Sequence, residues 1–73
     1  MTEQEKLAAL EELMELDAGT LSADDTLSDY PEWDSITALS FISYMDEHFH
    51  KTITGTEIKA FTKVSDVLAV MEP

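Results

Sequence analysis

Asp34-Ser35-Ile36-Thr37-Ala38-Leu39-Ser40-Phe41-Ile42-Ser43-Tyr44-Met45-Asp46-Glu47-His48-Phe49 carries the clearest helical pattern in the chain, and Ser35 stands at its start behind an acidic neighbour. Ile36, Leu39, Ile42, Met45 and Phe49 fall on one helical stripe, with Thr37, Ser40, Tyr44 and Glu47 on the opposite side. This spacing predicts an amphipathic helix with the first set facing a core. Asp34 is a good N-cap and Ser35 is tolerated at the first helical position, so the pair reads as a plain helix start. It also reads as a modification site: an exposed hydroxyl at a helix start lies beside unpaired backbone N–H groups able to meet an incoming phosphate.

Upstream, Thr2 and Glu5 form a capping box, and Leu7, Leu10, Leu13 or Met14, and Leu16 repeat until Asp17-Ala18-Gly19, predicting a first helix over 3–16. The loop 17–34 is punctuated by Leu21, Leu27, Tyr30 and Trp33, which would fasten it to a core. Downstream, Thr52-Ile53-Thr54-Gly55 breaks the pattern. Thr56 to Ala60 suits only a short helix, with Ile58 and Phe61 inward; Thr62 would cap a last helix faced by Val64, Val67, Leu68 and Met71, with Pro73 the last residue. The expected fold is all-α, a four-helix bundle in one domain over 1–73, with a long loop between helices one and two and a short third helix.

Composition narrows the function. Seventy-three residues make a small core, ill suited to an elaborate enclosed active site. Residues 1–50 hold thirteen acids against Lys6 alone, and the whole chain has a formal net charge of −12. That field disfavours nucleic acid and anionic membranes and favours basic protein surfaces. It also implies that acid or salt would tighten the fold, provided repulsion outweighs favourable acid contacts. No cysteine supplies a thiol, and no signal or membrane-spanning pattern is present, which points to a soluble cytoplasmic protein. His48 and His50, two apart on a helix, point about 200° from each other and do not form a metal pair. Asp24, Asp25 and Asp29 lack the glycine and closing glutamate of a calcium loop. No catalytic set and no metal site is expected.

Asp34-Ser35-Ile36, the helix ending in Asp46-Glu47-His48-Phe49, the Ile53 turn and Val64-Ser65-Asp66-Val67 resemble, in order and spacing, the acyl carrier proteins and their Asp-Ser-Leu modification site. The resemblance implies a non-catalytic carrier. Ser35 would hold 4′-phosphopantetheine, donated by coenzyme A through a separate magnesium-dependent phosphopantetheinyl transferase, with Asp34 as flanking recognition. The arm would carry acyl intermediates as thioesters for fatty-acid-like, lipid or polyketide biosynthesis.

Ile36, Leu39, Ile42 and Phe61 are then candidates to line the acyl chain, and each also reads simply as core. Thr37, Ser40, Phe41, Tyr44, Asp46 and Glu47 are candidates to bind acyl-loading and acyl-processing enzymes with basic docking surfaces. The neutral Thr37 and Ser40, where fatty-acid-type carriers are acidic, imply a specialised partner set, and the absence of glycine from Tyr30-Pro31-Glu32-Trp33 favours a stand-alone carrier, expected to be a monomer. The alternatives are an aminoacyl or peptidyl carrier, although the glycines usual before its Asp-Ser pair are missing, and a small acidic interaction module in which Ser35 is only a cap.

Overall fold

The computed structural model describes residues 2–72. Its elements are α1 (Glu3–Leu13), a 3₁₀ turn (Leu27–Asp29), α2 (Ser35–Phe49), α3 (Gly55–Ala60) and α4 (Val64–Val70). The all-α, four-helix architecture with a short third helix is the one its hydrophobic periodicity predicts. Pro73, the last residue of the sequence, lies outside the described residues.

The capping box at the start of α1 is present: the Thr2 N–H donates to Glu5 Oε1 at 2.8 Å, and the Glu5 N–H donates to Thr2 Oγ1 at 3.2 Å. The helix ends at Leu13, three residues before the expected Leu16. Glu15 adopts φ +58°, and the Leu16 N–H reaches back to the Glu11 carbonyl at 2.8 Å. This closing bond belongs to a left-handed C-terminal motif that usually recruits glycine, so the apolar period ran past a stop written in backbone conformation. His50 closes α2 in the same left-handed region, at φ +55°.

The long connection between α1 and α2 is tied down at several points. Leu21 and Leu27 are buried and Tyr30 and Trp33 half-buried, as their spacing predicts. Backbone bonds join the loop to the entrance of α4: Leu27 N–H donates to Thr62 O, Val64 N–H to Asp25 O and Ser65 N–H to Ala23 O, all at 2.9 Å. Two first-turn donors of α4 thus find partners in the loop. Thr62 is not the cap of that helix; Lys63 holds the position, and Asp66 Oδ2 accepts the Thr62 and Lys63 N–H groups. The apolar face of α4 is as expected, with Val64, Val67, Leu68 and Met71 all buried.

Glu11 is 5% exposed, and its Oε2 accepts the Leu21 N–H at 2.8 Å across the loop. Removing that acceptor leaves a buried donor unpaired. Glu11→Ala is expected to lower stability by about 1–3 kcal/mol, with Glu11→Gln losing less because it keeps an acceptor oxygen. Urea titration together with exchange of the Leu21 amide checks this; unchanged Leu21 protection in Glu11→Ala would refute the assignment.

The main correction concerns α2. Its inner face is centred on Thr37, Phe41 and Met45, all buried, whereas Ile36 is 73% and Leu39 67% exposed. The buried face is turned from the expected stripe toward Thr37 and Phe41 in its first turns, while Met45 is buried and Ile42 and Phe49 pack against the core as expected. Phe41 takes the centre because it meets Trp33 edge-on at 5.9 Å and Phe61 edge-on at 6.2 Å. Thr37 is admitted because both its polar groups are satisfied: its N–H donates to Asp34 Oδ1 at 2.9 Å and its Oγ1 to Glu32 O at 2.8 Å. Ile36 and Leu39 therefore do not line the core, while Ile42 and Phe61 pack half-buried against it. Thr37 and Phe41 offer no docking surface.

Candidate functional site

Ser35 is the first residue of α2 and is exposed. The segment before it is held from both sides. Trp33 N–H donates to Tyr30 O at 3.0 Å, the Trp33 ring packs against Phe41, and Thr37 grips Glu32 O. The first-turn N–H groups of a helix have no intrahelical acceptor; Asp34 takes that of Thr37. Its carboxyl is held below the ordinary value of 3.8, chiefly by this bond from the Thr37 backbone. Asp34 thus stays ionised beside a hydroxyl presented on a rigid start, with helix-end donors nearby.

Nothing in this arrangement makes Ser35 a nucleophile by itself. His48 and His50 lie thirteen and fifteen residues further along the chain, about 20 Å by helical rise, too far for a base to reach Oγ. Among the described residues no group of three or more metal-ligating side chains comes together. No helix among them is long and apolar enough to cross a membrane.

Around Ser35 the outward face of α2 presents Ile36, Leu39, Ser40, Ser43, Asp46 and Glu47. Of the residues expected to bind partners, Ser40, Asp46 and Glu47 are on this surface. Tyr44 is half-buried and stacks on His48 with ring centroids 4.3 Å apart. An open groove of about 720 Å³ runs between α1 and α2, with Ile36 and Ser40 on one wall and Leu13 on the other. The expectations omitted its α1 wall and His48. The i, i+4 spacing of Tyr44 and His48 was the available signal for the stack.

Five carboxylates are held below their ordinary values by specific donors: Glu5 by the Thr2 backbone, Asp25 by the Tyr30 hydroxyl, Asp34 by Thr37, Asp66 by the Lys63 backbone, and Glu72 by the Lys6 ammonium. A depressed folded-state value means that the folded chain binds these protons less readily than the unfolded one. Their contribution is present above the ordinary 3.8 and 4.5 and is lost as pH falls through the lower folded values. Acid is therefore expected to loosen the fold below about pH 4.5, the reverse of what net charge alone implies, whereas salt still screens the surplus of acids. Tyr30, whose hydroxyl donates to Asp25 at 2.6 Å, is pushed up to about 12, so its contribution disappears only as pH rises from 10 through that value. Thermal midpoints measured from neutral to acid pH check the sign; a midpoint rising below pH 4.5 would contradict it.

The geometry suits a phosphate-linked prosthetic group: an exposed hydroxyl at a helix start and an ionised neighbour, both on a braced backbone. A family description, phosphopantetheine attachment site, matches residues 7–71. No curated protein and no solved structure matches the chain. The family match runs from within α1 through α4, and the chain belongs to the phosphopantetheine attachment site family of acyl-carrier-like domains, whose prosthetic group is covalent 4′-phosphopantetheine.

Proposed function

We propose that Ser35 is the attachment point, and that the chain carries acyl intermediates for a dedicated lipid-like or polyketide-like biosynthetic route in the cytoplasm. The observation that carries this reading is the exposed Ser35 hydroxyl at the capped start of α2, within the family match. In the loading reaction Ser35 Oγ gains a bond to the phosphoryl end of the arm. The hydroxyl gives up its proton and adenosine 3′,5′-bisphosphate leaves coenzyme A. Asp34 orients the helix start and supplies a carboxylate for the transferase to engage. The arm, once bound, supplies the thiol that the cysteine-free chain lacks. The chain itself performs no chemistry beyond presenting that group.

Partners dock, in this reading, on the outward face of α2. Ile36 and Leu39 are apolar and exposed beside Ser35, and Asp46 and Glu47 add negative charge further along. An apolar centre with an acidic margin fits a basic-rimmed enzyme surface. Ser40 and Ser43, neutral on the same face, support a restricted partner set over a general one. The test is incubation with coenzyme A and a promiscuous phosphopantetheinyl transferase, read by intact mass. Gain of one phosphopantetheine is expected; no gain with several transferases would favour an interaction module in which Ser35 is only a helix start.

A further inference from the structure

The groove between α1 and α2 begins beside the attachment point, since Ile36 follows Ser35 directly and lines its near end. Ile36, Ser40, Tyr44 and His48 are spaced one turn apart and form its α2 wall, about 18 Å long from first to last. The opposite wall is Ala9, Glu12, Leu13 and Glu15. At about 720 Å³ the groove lies within the range of small-molecule sites, yet it is open to solvent. The bundle interior is differently disposed: Phe41, Leu10, Met14, Met45 and Met71 are fully buried and fill it. A group tethered to Ser35 thus finds ready-made space in this surface groove, not among the core side chains.

The chemistry of the walls is selective. Glu12 and Glu15 supply two carboxylates, and none of the four lysines lines the groove: Lys6 Nζ bonds Glu72, Lys51 Nζ bonds Val70 O, and Lys59 and Lys63 lie on α3 and at the α4 cap. The Tyr44–His48 stack, at 4.3 Å and 29°, provides an aromatic surface of the kind that attracts cations. Glu12 lines the same groove as Tyr44, whose hydroxyl is pushed above its ordinary value by burial and then by the charge of that carboxylate. Ala9, Leu13 and Ile36 offer only a short apolar stretch. A carboxyl-tipped cargo meets like charge here, and a long saturated chain meets polar walls.

We infer that the α1–α2 groove receives the cargo end of an arm carried on Ser35, and that the cargo it fits is an acyl group bearing a primary ammonium, as in an aminoacyl thioester. This rests on Ser35 as attachment point; it keeps the carrier reading and replaces the lipid-like or polyketide-like cargo proposed above with the aminoacyl alternative. The full chain is loaded from amide-linked, hydrolysis-resistant coenzyme A analogues carrying β-alanyl, butyryl or succinyl groups, which are close in length, the succinyl longer by one atom, and differ in the charge of the tip.

After mass confirms loading, backbone amide NMR shifts are read at Leu13, Tyr44 and His48. The β-alanyl form is expected to shift these amides, and the butyryl and succinyl forms are not. Glu12→Gln with Glu15→Gln should reduce occupancy about fivefold, as should raising salt to about 0.5 M. Equal shifts for all three cargoes, or shifts confined to α3 around Ile58 and Phe61, would overturn the inference while leaving the carrier reading intact. No mass gain at Ser35 would overturn both.

Discussion

Ser35→Ala is expected to take no phosphopantetheine at all from a transferase and coenzyme A, while melting within about 0.5 kcal/mol of the parent, because exposed substitutions away from caps and cores change stability little. The separation of the two readouts makes the result informative. Ser35 is exposed, and the Asp34 cap that fixes the start of α2 makes its bond to Thr37, not to residue 35. Loss of loading therefore cannot be traced to loss of the helix. Asp34→Ala behaves differently: it removes the bond to the Thr37 N–H and so weakens the helix start as well as slowing transfer. Leu39→Ser, which alters the proposed docking face without touching the core, should slow transfer about tenfold at unchanged stability. Transfer to Ser35→Ala would move the attachment point to another hydroxyl.

How far the chain could be read in advance depended on which forces decide each element. Capping and period placed α1, α2 and α4, since Thr2 with Glu5, Asp34, and the Val64-Val67-Leu68-Met71 set act within single helices. Ser35 was legible as the first residue of a helix because Asp34 is a strong cap ahead of a long apolar period. The facing of α2 was not, because Ile36 and Leu39 are apolar and Thr37 is not, and hydrophobicity alone ranks them wrongly. Long-range partners reverse the ranking: Glu32 O and Asp34 satisfy Thr37, and Trp33 and Phe61 enclose Phe41. The early end of α1 was hidden for a similar reason, since glutamate at φ +58° leaves no compositional mark. The α1–α2 groove needs the packing of two helices before its walls exist at all.

Phe41→Ala and Leu39→Ala test that rotation of α2 directly, and the two are expected to differ by most of the stability of the domain. Truncating a buried phenylalanine costs about 3–5 kcal/mol, through lost transfer energy and the cavity left behind. A core of this size rarely supplies more than about 3–5 kcal/mol. Phe41, at 0% exposure between Trp33 and Phe61, should therefore leave a largely unfolded chain when reduced to alanine. Leu39, 67% exposed, should tolerate the same change within about 0.5 kcal/mol. Trp33 is the only tryptophan and sits 5.9 Å from the Phe41 ring, so its emission reports the core at the site of the change. Equilibrium urea titration followed by that emission gives both values. Were Leu39→Ala the more damaging, the apolar stripe of Ile36, Leu39 and Ile42 would be the true inner face. Phe41 would then return to the surface beside Ser35, and the docking face would have to be redrawn around aromatic contacts.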